Sequence, residues 1–178
     1  MSPVFTIGHS TRMAEEFIRL LKAFKIELLA DIRTIPRSRK NPQFESGVLS
    51  EALRNEAIDY IHVPALGGLR HPNKDSINTA WRNDSFRGYA DYMQTEAFFT
   101  AIADLICIAR NKRTAMMCAE AVPWRCHRSL VSDALLARGI GVIDILSATS
   151  SKEHKLTPWA QVEGTRVTYP KAEDCATM

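Results

Sequence analysis

The sequence predicts an α/β fold: a single domain over residues 1–170 with a mostly parallel central sheet of about five strands flanked by helices, and a small C-terminal hairpin. Three observations predict it. Strand-like and helix-like patterns alternate along the chain, the order that builds parallel βαβ units. The run Thr114-Ala-Met-Met-Cys118 is almost wholly apolar, as suits a strand buried on both faces. The chain has 178 residues, 46% hydrophobic and 24% charged, which suits one unit with its own core.

Val4-Phe-Thr-Ile7 is the first strand. A helix follows over about Met13 to Phe24, because Phe17, Leu20, Leu21 and Phe24 recur at the helical spacing. Glu27 to Ile32 is the second strand. A proline-bearing loop, Thr34 to Gly47, leads to a short helix at about Val48 to Asn55. Tyr60 to Leu66 is the third strand. Gly67-Gly68 ends it and opens a polar stretch to about Phe86, a lid or a plain loop. Gly88 to about Arg110 is helical, in one piece or two, with Phe98, Ile102, Leu105 and Ala109 as its buried stripe. After the fourth strand, Thr114 to Cys118, a helix spans Cys126 to Arg138, and Gly139 is its left-handed stop. Val142 to Leu146 is the fifth strand. Gly164 turns a hairpin between Ala160–Glu163 and Thr165–Tyr169, and residues 171–178 form a fraying tail.

No segment reaches the roughly 18 consecutive apolar residues of a membrane span. The start of the chain has no basic stretch followed by an apolar one, so no signal peptide is expected. The expectation is a cytoplasmic protein with no membrane partner. Cys107, Cys118, Cys126 and Cys175 are unevenly spaced and read as thiols, not as a disulfide framework. The formal charge is +3 and the pI about 8.7, only mildly basic. The basic residues cluster, however. Ile32 to Phe44 holds no acid but does hold Arg33, Arg37, Arg39 and Lys40, a solvated basic loop or an anion-binding lip.

Polar groups gather where the strands end. The first strand runs into Gly8-His9-Ser10, the second into Asp31 and Arg33, the third into Gly67-Gly68 with Arg70 beyond, and the fourth into Cys118 and Glu120. In a parallel sheet these ends share one edge, where open α/β sheets bind ligands. The segment Cys118-Ala-Glu-Ala-Val-Pro-Trp-Arg-Cys-His-Arg128 is the most informative. Its helix start attracts anions and lowers the pKa of a nearby thiol, and Arg125, His127 and Arg128 add positive charge. Cys126 is thus a candidate thiolate, with Cys118 facing the same pocket. Glu120, at the mouth of a buried strand, needs a partner such as Arg125, Arg128 or Arg33. His62, inside the third strand, and the Met116-Met117 pair read as structural.

Strand, cysteine, loop, arginine and helix is also the outline of a rhodanese or tyrosine-phosphatase loop. This chain departs from it: six residues separate Cys118 from Arg125 instead of five, and Pro123 has no N–H to donate to an oxyanion. A zinc set of Cys118, Cys126, His127 and His9 is disfavoured, because neighbouring positions on a helix diverge and no Cys-x2-Cys pair is present. No metal and no cofactor are expected.

The motifs Thr6-Ile-Gly-His-Ser10, Asp31-Ile-Arg33 with Pro36 and Ser38, Leu66-Gly-Gly68 with Arg70, Cys118-Ala-Glu120, Cys126-His-Arg128 and His154-Lys-Leu-Thr-Pro158 occur in this order. Together they resemble the family called domain of unknown function 488, over about residues 4 to 160. The resemblance implies a compact α/β protein, bacterial or archaeal in most cases, with no settled activity. It implies that His9, Ser10, Asp31, Arg33, Arg70, Cys118, Glu120, Cys126, His127 and Arg128 are signature positions. Ala121-Val122 stands where the family often has a charged pair.

Three functions follow as expectations. The first is a small enzyme acting on a phosphate-bearing ligand, a nucleotide or nucleic acid. Ser10, Arg33, Arg70 and Arg128 would hold the anion, Glu120 or Asp31 would be the base, His9 or His127 the proton donor, and Cys118 or Cys126 the nucleophile. The second is a non-catalytic module for a nucleotide or single-stranded nucleic acid, using the basic loop and the aromatics Phe44, Trp81 and Trp124. The third is thiol-based redox or sulfur transfer.

Overall fold

The apolar strand runs pair side by side into one six-stranded sheet. β1 (Val4–Gly8), β2 (Leu28–Asp31), β3 (Asp59–His62), β4 (Thr114–Cys118) and β5 (Val142–Ile145) are parallel, and β6 (Ser151–Glu153) joins β5 antiparallel. The order is β3-β2-β4-β1-β5-β6. The computed structural model describes residues 2–171. The tail expected to fray lies outside the described residues apart from Lys171, and Cys175 lies in it.

Successive strand residues point to opposite faces, and both faces are covered. Ala115 and Met117 of β4, with Phe5 and Ile7 of β1, pack against Phe17, Leu20 and Leu21 of α1 (Ala14–Ala23) and Leu49 and Leu53 of α2 (Ser46–Arg54). Met116 and Cys118 face the other way. They meet a core built from Tyr89 of α3 (Asp84–Tyr92), Phe98, Ile102 and Leu105 of α4 (Glu96–Asn111), and Leu130 and Val131 of α5 (Arg128–Leu136). This two-sided cover explains the continuous apolar run of β4. The C-terminal hairpin, β7 (Gln161–Glu163) and β8 (Arg166–Thr168), turns at Gly164 with φ +60°, as its sequence predicts.

The structure differs from the sequence reading at four places. β3 stops at His62, because Pro64 has no N–H for a strand ladder and opens a 3-10 turn to Leu66. The helical stretch is in two pieces, one of the two expected forms, but the first begins at Asp84 instead of Gly88. Asn83 accepts the N–H groups of Ser85 and Phe86 to start α3, and Thr95 accepts that of Phe98 to start α4. α5 starts at Arg128 instead of Cys126. Pro123–Arg125 form their own 3-10 turn, and Cys126 stays extended at φ −138°. β6 was not expected, since Ser-Lys-Glu is fully exposed and carries no apolar signal.

The polar stretch 70–86 is a pinned loop. Buried Asp91 accepts the Asn73 N–H at 2.8 Å, the Ser76 hydroxyl at 2.6 Å and the Asn78 amide at 2.7 Å. Asn78 in turn accepts the Tyr169 N–H at 2.8 Å.

A second buried cluster ties β6 and the C-terminal segment to the core. Asp133 accepts His154 Nε2–H at 2.8 Å, the Tyr169 hydroxyl at 2.8 Å and the Thr157 N–H at 3.1 Å. His154 Nδ1 lies 3.8 Å from Asp144. Burial alone would lower the pKa of His154, but its hydrogen bonds to Asp133 and Asp144 outweigh that and push it up to about 9. A histidine pKa raised by folding stabilises the protein fully below its unfolded value of about 6.5, and the contribution is lost as pH rises through about 9. His154→Gln is therefore expected to lower stability at pH 6 by on the order of 2 kcal/mol after solvent screening. The difference should shrink toward pH 10, read by urea denaturation across pH.

Candidate active site

Parallel pairing fixes which strand ends meet. Gly8 lies beside Cys118, and Asp31 beside both Met117 and His62. The backbone continues the register past the strands, since His9 N–H donates to the Cys118 carbonyl and Ser10 N–H to that of Ala119. The expected convergence of Gly8-His9, Asp31 and Cys118 is therefore present. Gly8 has no side chain because none fits: a Cβ would stand 1.7 Å from the Glu120 carbonyl oxygen and 2.9 Å from Arg128 Nη2. The loop after β4 thus lies directly against the end of β1.

Cys118 and Cys126 form the floor of an open cavity of about 370 Å³. Gly68, Ile35, Leu69 and Phe86 supply its apolar walls, and Arg33, Arg37, Arg125 and Glu120 its charges. Both cysteines are buried, and the ionisation of each acts on the other. Burial would raise the pKa of Cys126. It is held well below the ordinary thiol range instead, because hydrogen bonding with Cys118 and His127 and the charges of His127 and Arg128 favour the thiolate. The Arg128 N–H, first in α5, also donates to that sulfur at 3.5 Å. Burial pushes Cys118 well up, and its hydrogen bond to Cys126 adds to this. The two thiols are therefore pushed in opposite directions, Cys126 toward the thiolate and Cys118 toward the thiol.

His127 is aimed by its second nitrogen. Nε2–H donates to the Ile32 carbonyl at 3.2 Å, leaving Nδ1 facing Cys126 Sγ at 3.5 Å. Gly68 permits this, since a Cβ there would stand 2.4 Å from Nδ1.

Arg128 is 1% exposed and stretches beneath the loop. Its guanidinium donates to the Glu120 carbonyl at 2.7 Å and to the Thr6 hydroxyl at 3.3 Å. The Thr6 hydroxyl in turn donates to Asp144 at 2.7 Å, which fixes its lone pairs toward Arg128. Among the described residues no carboxylate forms a salt bridge with Arg128. The two cysteine sulfurs are the ionisable groups that hold its charge.

The remaining expected residues are placed differently. Arg33 is 6% exposed and committed to Asp31, at 2.5 Å for the shortest contact, and to the Phe44 carbonyl at 2.8 Å. Asp31 also accepts the Tyr60 hydroxyl at 2.7 Å, so its oxygens are saturated. His9 is buried and stacked on Phe44 at 4.2 Å. Burial, with the nearby Arg33 charge, takes its pKa down to about 4, so it is neutral. Its Nδ1–H donates to the Ser10 carbonyl, and its Nε2 faces an Arg33 N–H. His9 and Asp31 thus prop Arg33 from behind. Ser10 sits at the turn beneath the loop with φ +50°. Arg70 lies elsewhere, with its guanidinium 3.5 Å above the Tyr92 ring and bound to the Gly67 and Ala65 carbonyls. Arg33, Arg70 and Arg128 therefore do not close around one anion. Glu120 is exposed and ion-paired with none of the three arginines. Trp81 and Trp124 line a different cavity from Arg33 and Arg37, and Phe44 is buried in the core.

Several supporting residues carried no motif: Tyr60, Asp133 and Asp144. The signal available was a carboxylate amid apolar neighbours, as in Val142-Ile-Asp-Ile145 and Leu130-Val-Ser-Asp133-Ala-Leu.

These features define an α/β protein with a paired-cysteine centre at the carboxyl edge of a parallel sheet. The family model described as Domain of unknown function DUF488 matches residues 13–135, more than half of the chain, and the protein belongs to that family. No curated protein and no solved structure matches the chain.

Proposed function

We propose that the protein is a thiol enzyme that exchanges disulfides on a small substrate, with Cys126 as nucleophile and Cys118 as the second thiol. One observation carries this reading: a buried guanidinium, that of Arg128, has no carboxylate partner among the described residues, while the same residue's N–H donates to Cys126 Sγ and the two cysteines favour its charge. A buried cation needs a compensating charge, and the Cys126 thiolate supplies one.

The Cys126 thiolate attacks one sulfur of a substrate disulfide. A mixed disulfide forms on Cys126, and the other half leaves as a thiolate that takes the Cys118 proton. Once Cys126 carries no charge, the Cys118 sulfur attacks it. The Cys118–Cys126 disulfide forms and the second half leaves as a thiolate. The substrate is reduced by two electrons and the pair is oxidised by two; an external dithiol reverses the change. Arg37 and Arg125 at the cavity mouth favour a substrate carrying a negative group.

The test uses an aromatic disulfide bearing carboxylates, with Cys107 and Cys175 replaced by serine. The parent protein is expected to release both halves of the reagent and end with a Cys118–Cys126 disulfide. Cys118→Ser should release one half and retain the other on Cys126, seen by mass. Capture on Cys118 alone, or none on either cysteine, contradicts the reading.

A second reading keeps the phosphate-bearing ligand. It is favoured by Arg33, Arg37, Arg125 and the exposed Glu120 lining the same cavity, with Glu120 as base. Glu120→Gln separates the two: it leaves disulfide exchange unchanged and removes phosphate-ester turnover.

A further inference from the structure

The chain has three tryptophans, and all three line one cavity of about 270 Å³. It lies on the far side of the loop that carries Cys126, and no residue lines both cavities. Trp81 forms the fixed wall. It stacks on Phe86 at 4.8 Å and meets Trp159 and Tyr169 edge-on at 5.3 and 5.5 Å. Trp124 and Trp159 are 62% and 45% exposed. Large rings left in water on both sides of a cavity are placed for a partner and contribute little to the core.

The polar groups are arranged around this aromatic lining. Lys152 and Lys155 stand exposed at its rim, and Glu153 offsets one of them. His154 is already engaged with Asp133 and Asp144, and Asp144 also accepts the Thr6 hydroxyl. Ser129 is buried at the floor, and Thr157 adds a second hydroxyl. The cavity is slightly smaller than the roughly 300–1,000 Å³ of sites for drug-sized ligands. That suits one flat ring with a short anionic extension. Stacking on tryptophan tolerates any base, and lysine holds phosphate as a point charge.

We propose that this tryptophan-lined cavity binds a nucleoside monophosphate, with the base against Trp124 and Trp159 and the phosphate toward Lys152 and Lys155. The proposal does not depend on the thiol chemistry of the other cavity.

Because every tryptophan lies at the site, intrinsic fluorescence of the full chain reads occupancy directly. Adenosine monophosphate and guanosine monophosphate are expected to quench it saturably. Adenosine should bind roughly tenfold more weakly, and inorganic phosphate should not quench. The double variant Lys152→Ala with Lys155→Ala keeps all three fluorophores. It should bring the monophosphate down to the affinity of adenosine and leave adenosine itself unchanged. Trp124→Ala, followed by calorimetry, should weaken both by roughly tenfold or more. Three results overturn the proposal: no saturable quenching by either monophosphate up to millimolar concentration, equal effects of phosphate and monophosphate, or binding of oligonucleotides only.

Discussion

Alkylation of Cys126 is expected to fall far less between pH 8 and pH 6 than that of an ordinary thiol. An ordinary thiol, with pKa about 8.5, loses roughly a hundredfold in rate over that interval, because only the thiolate reacts. Cys126 sits at the floor of its cavity, so its absolute rate depends on access. The ratio between two pH values cancels access and reports ionisation alone. Burial works against the thiolate here. It prevails through the Cys118 S–H, then His127, then the charge of Arg128. The substitutions should follow that order. Cys118→Ala removes the largest favourable contact and is expected to restore a steep fall toward pH 6. Cys118→Ser keeps a hydroxyl donor in the same place and should keep most of the shallow profile. Peptide mapping by mass after timed labelling separates Cys126 from exposed Cys107. A steep profile in the parent protein, or equal profiles in the two Cys118 variants, contradicts this assignment of donors.

Gly8→Ala is expected to be the most destabilising single-methyl change at the site. Its Cβ would lie 1.7 Å from the Glu120 carbonyl oxygen, and that obstacle is backbone. β1 pairs with β4 on one side and β5 on the other, so it cannot move away without breaking a ladder. The loop must give instead, which pulls the Glu120 carbonyl from Arg128 and exposes the guanidinium. A cost of roughly 3 kcal/mol or more follows from overpacking of this kind, equivalent to a melting temperature lower by roughly 10 °C. Gly47→Ala is the matched control. Nothing lies within 4 Å of its added methyl, and it sits in the first turn of α2. It should leave stability unchanged or raise it slightly. Thermal denaturation of the two variants beside the parent decides. An unchanged melting temperature for Gly8→Ala rules out the close approach of loop and strand.

The sheet was legible because its strands carry their own signature. Thr114–Cys118 has the bounds read from its apolar run, and Phe98, Ile102, Leu105 and Ala109 form the buried stripe of α4 as their spacing predicts. Gly139, at φ +73°, ends α5 as expected. Parallel pairing then made the meeting of Gly8-His9, Asp31 and Cys118 predictable from strand ends alone. What the sequence did not disclose is which way long side chains turn. Arg33, Arg70 and Arg128 look equivalent as sequence. One is spent on a carboxylate two residues away, one lies on an aromatic ring, and one is buried under a loop beside two thiols. Glu120 looked like a carboxylate in need of a partner, yet its backbone carbonyl is the group that Arg128 binds. Contacts such as Thr6 to Asp144, 138 positions apart in sequence, have no local signal. The start of α5 shows the same limit on a smaller scale. Two residues of shift turned Cys126 from a helical residue into an extended one whose sulfur caps the helix.

The central claim is that the anion beside Arg128 is the Cys126 thiolate. Thiolates absorb in the ultraviolet where thiols do not, so a pH titration of the parent protein minus that of Cys126→Ser isolates this one group. The expected difference spectrum keeps its thiolate absorbance at pH values where an ordinary thiol has lost its own. A difference that appears only as the pH climbs past 8 would mean that Cys126 is an ordinary buried thiol and that Arg128 is compensated in some other way.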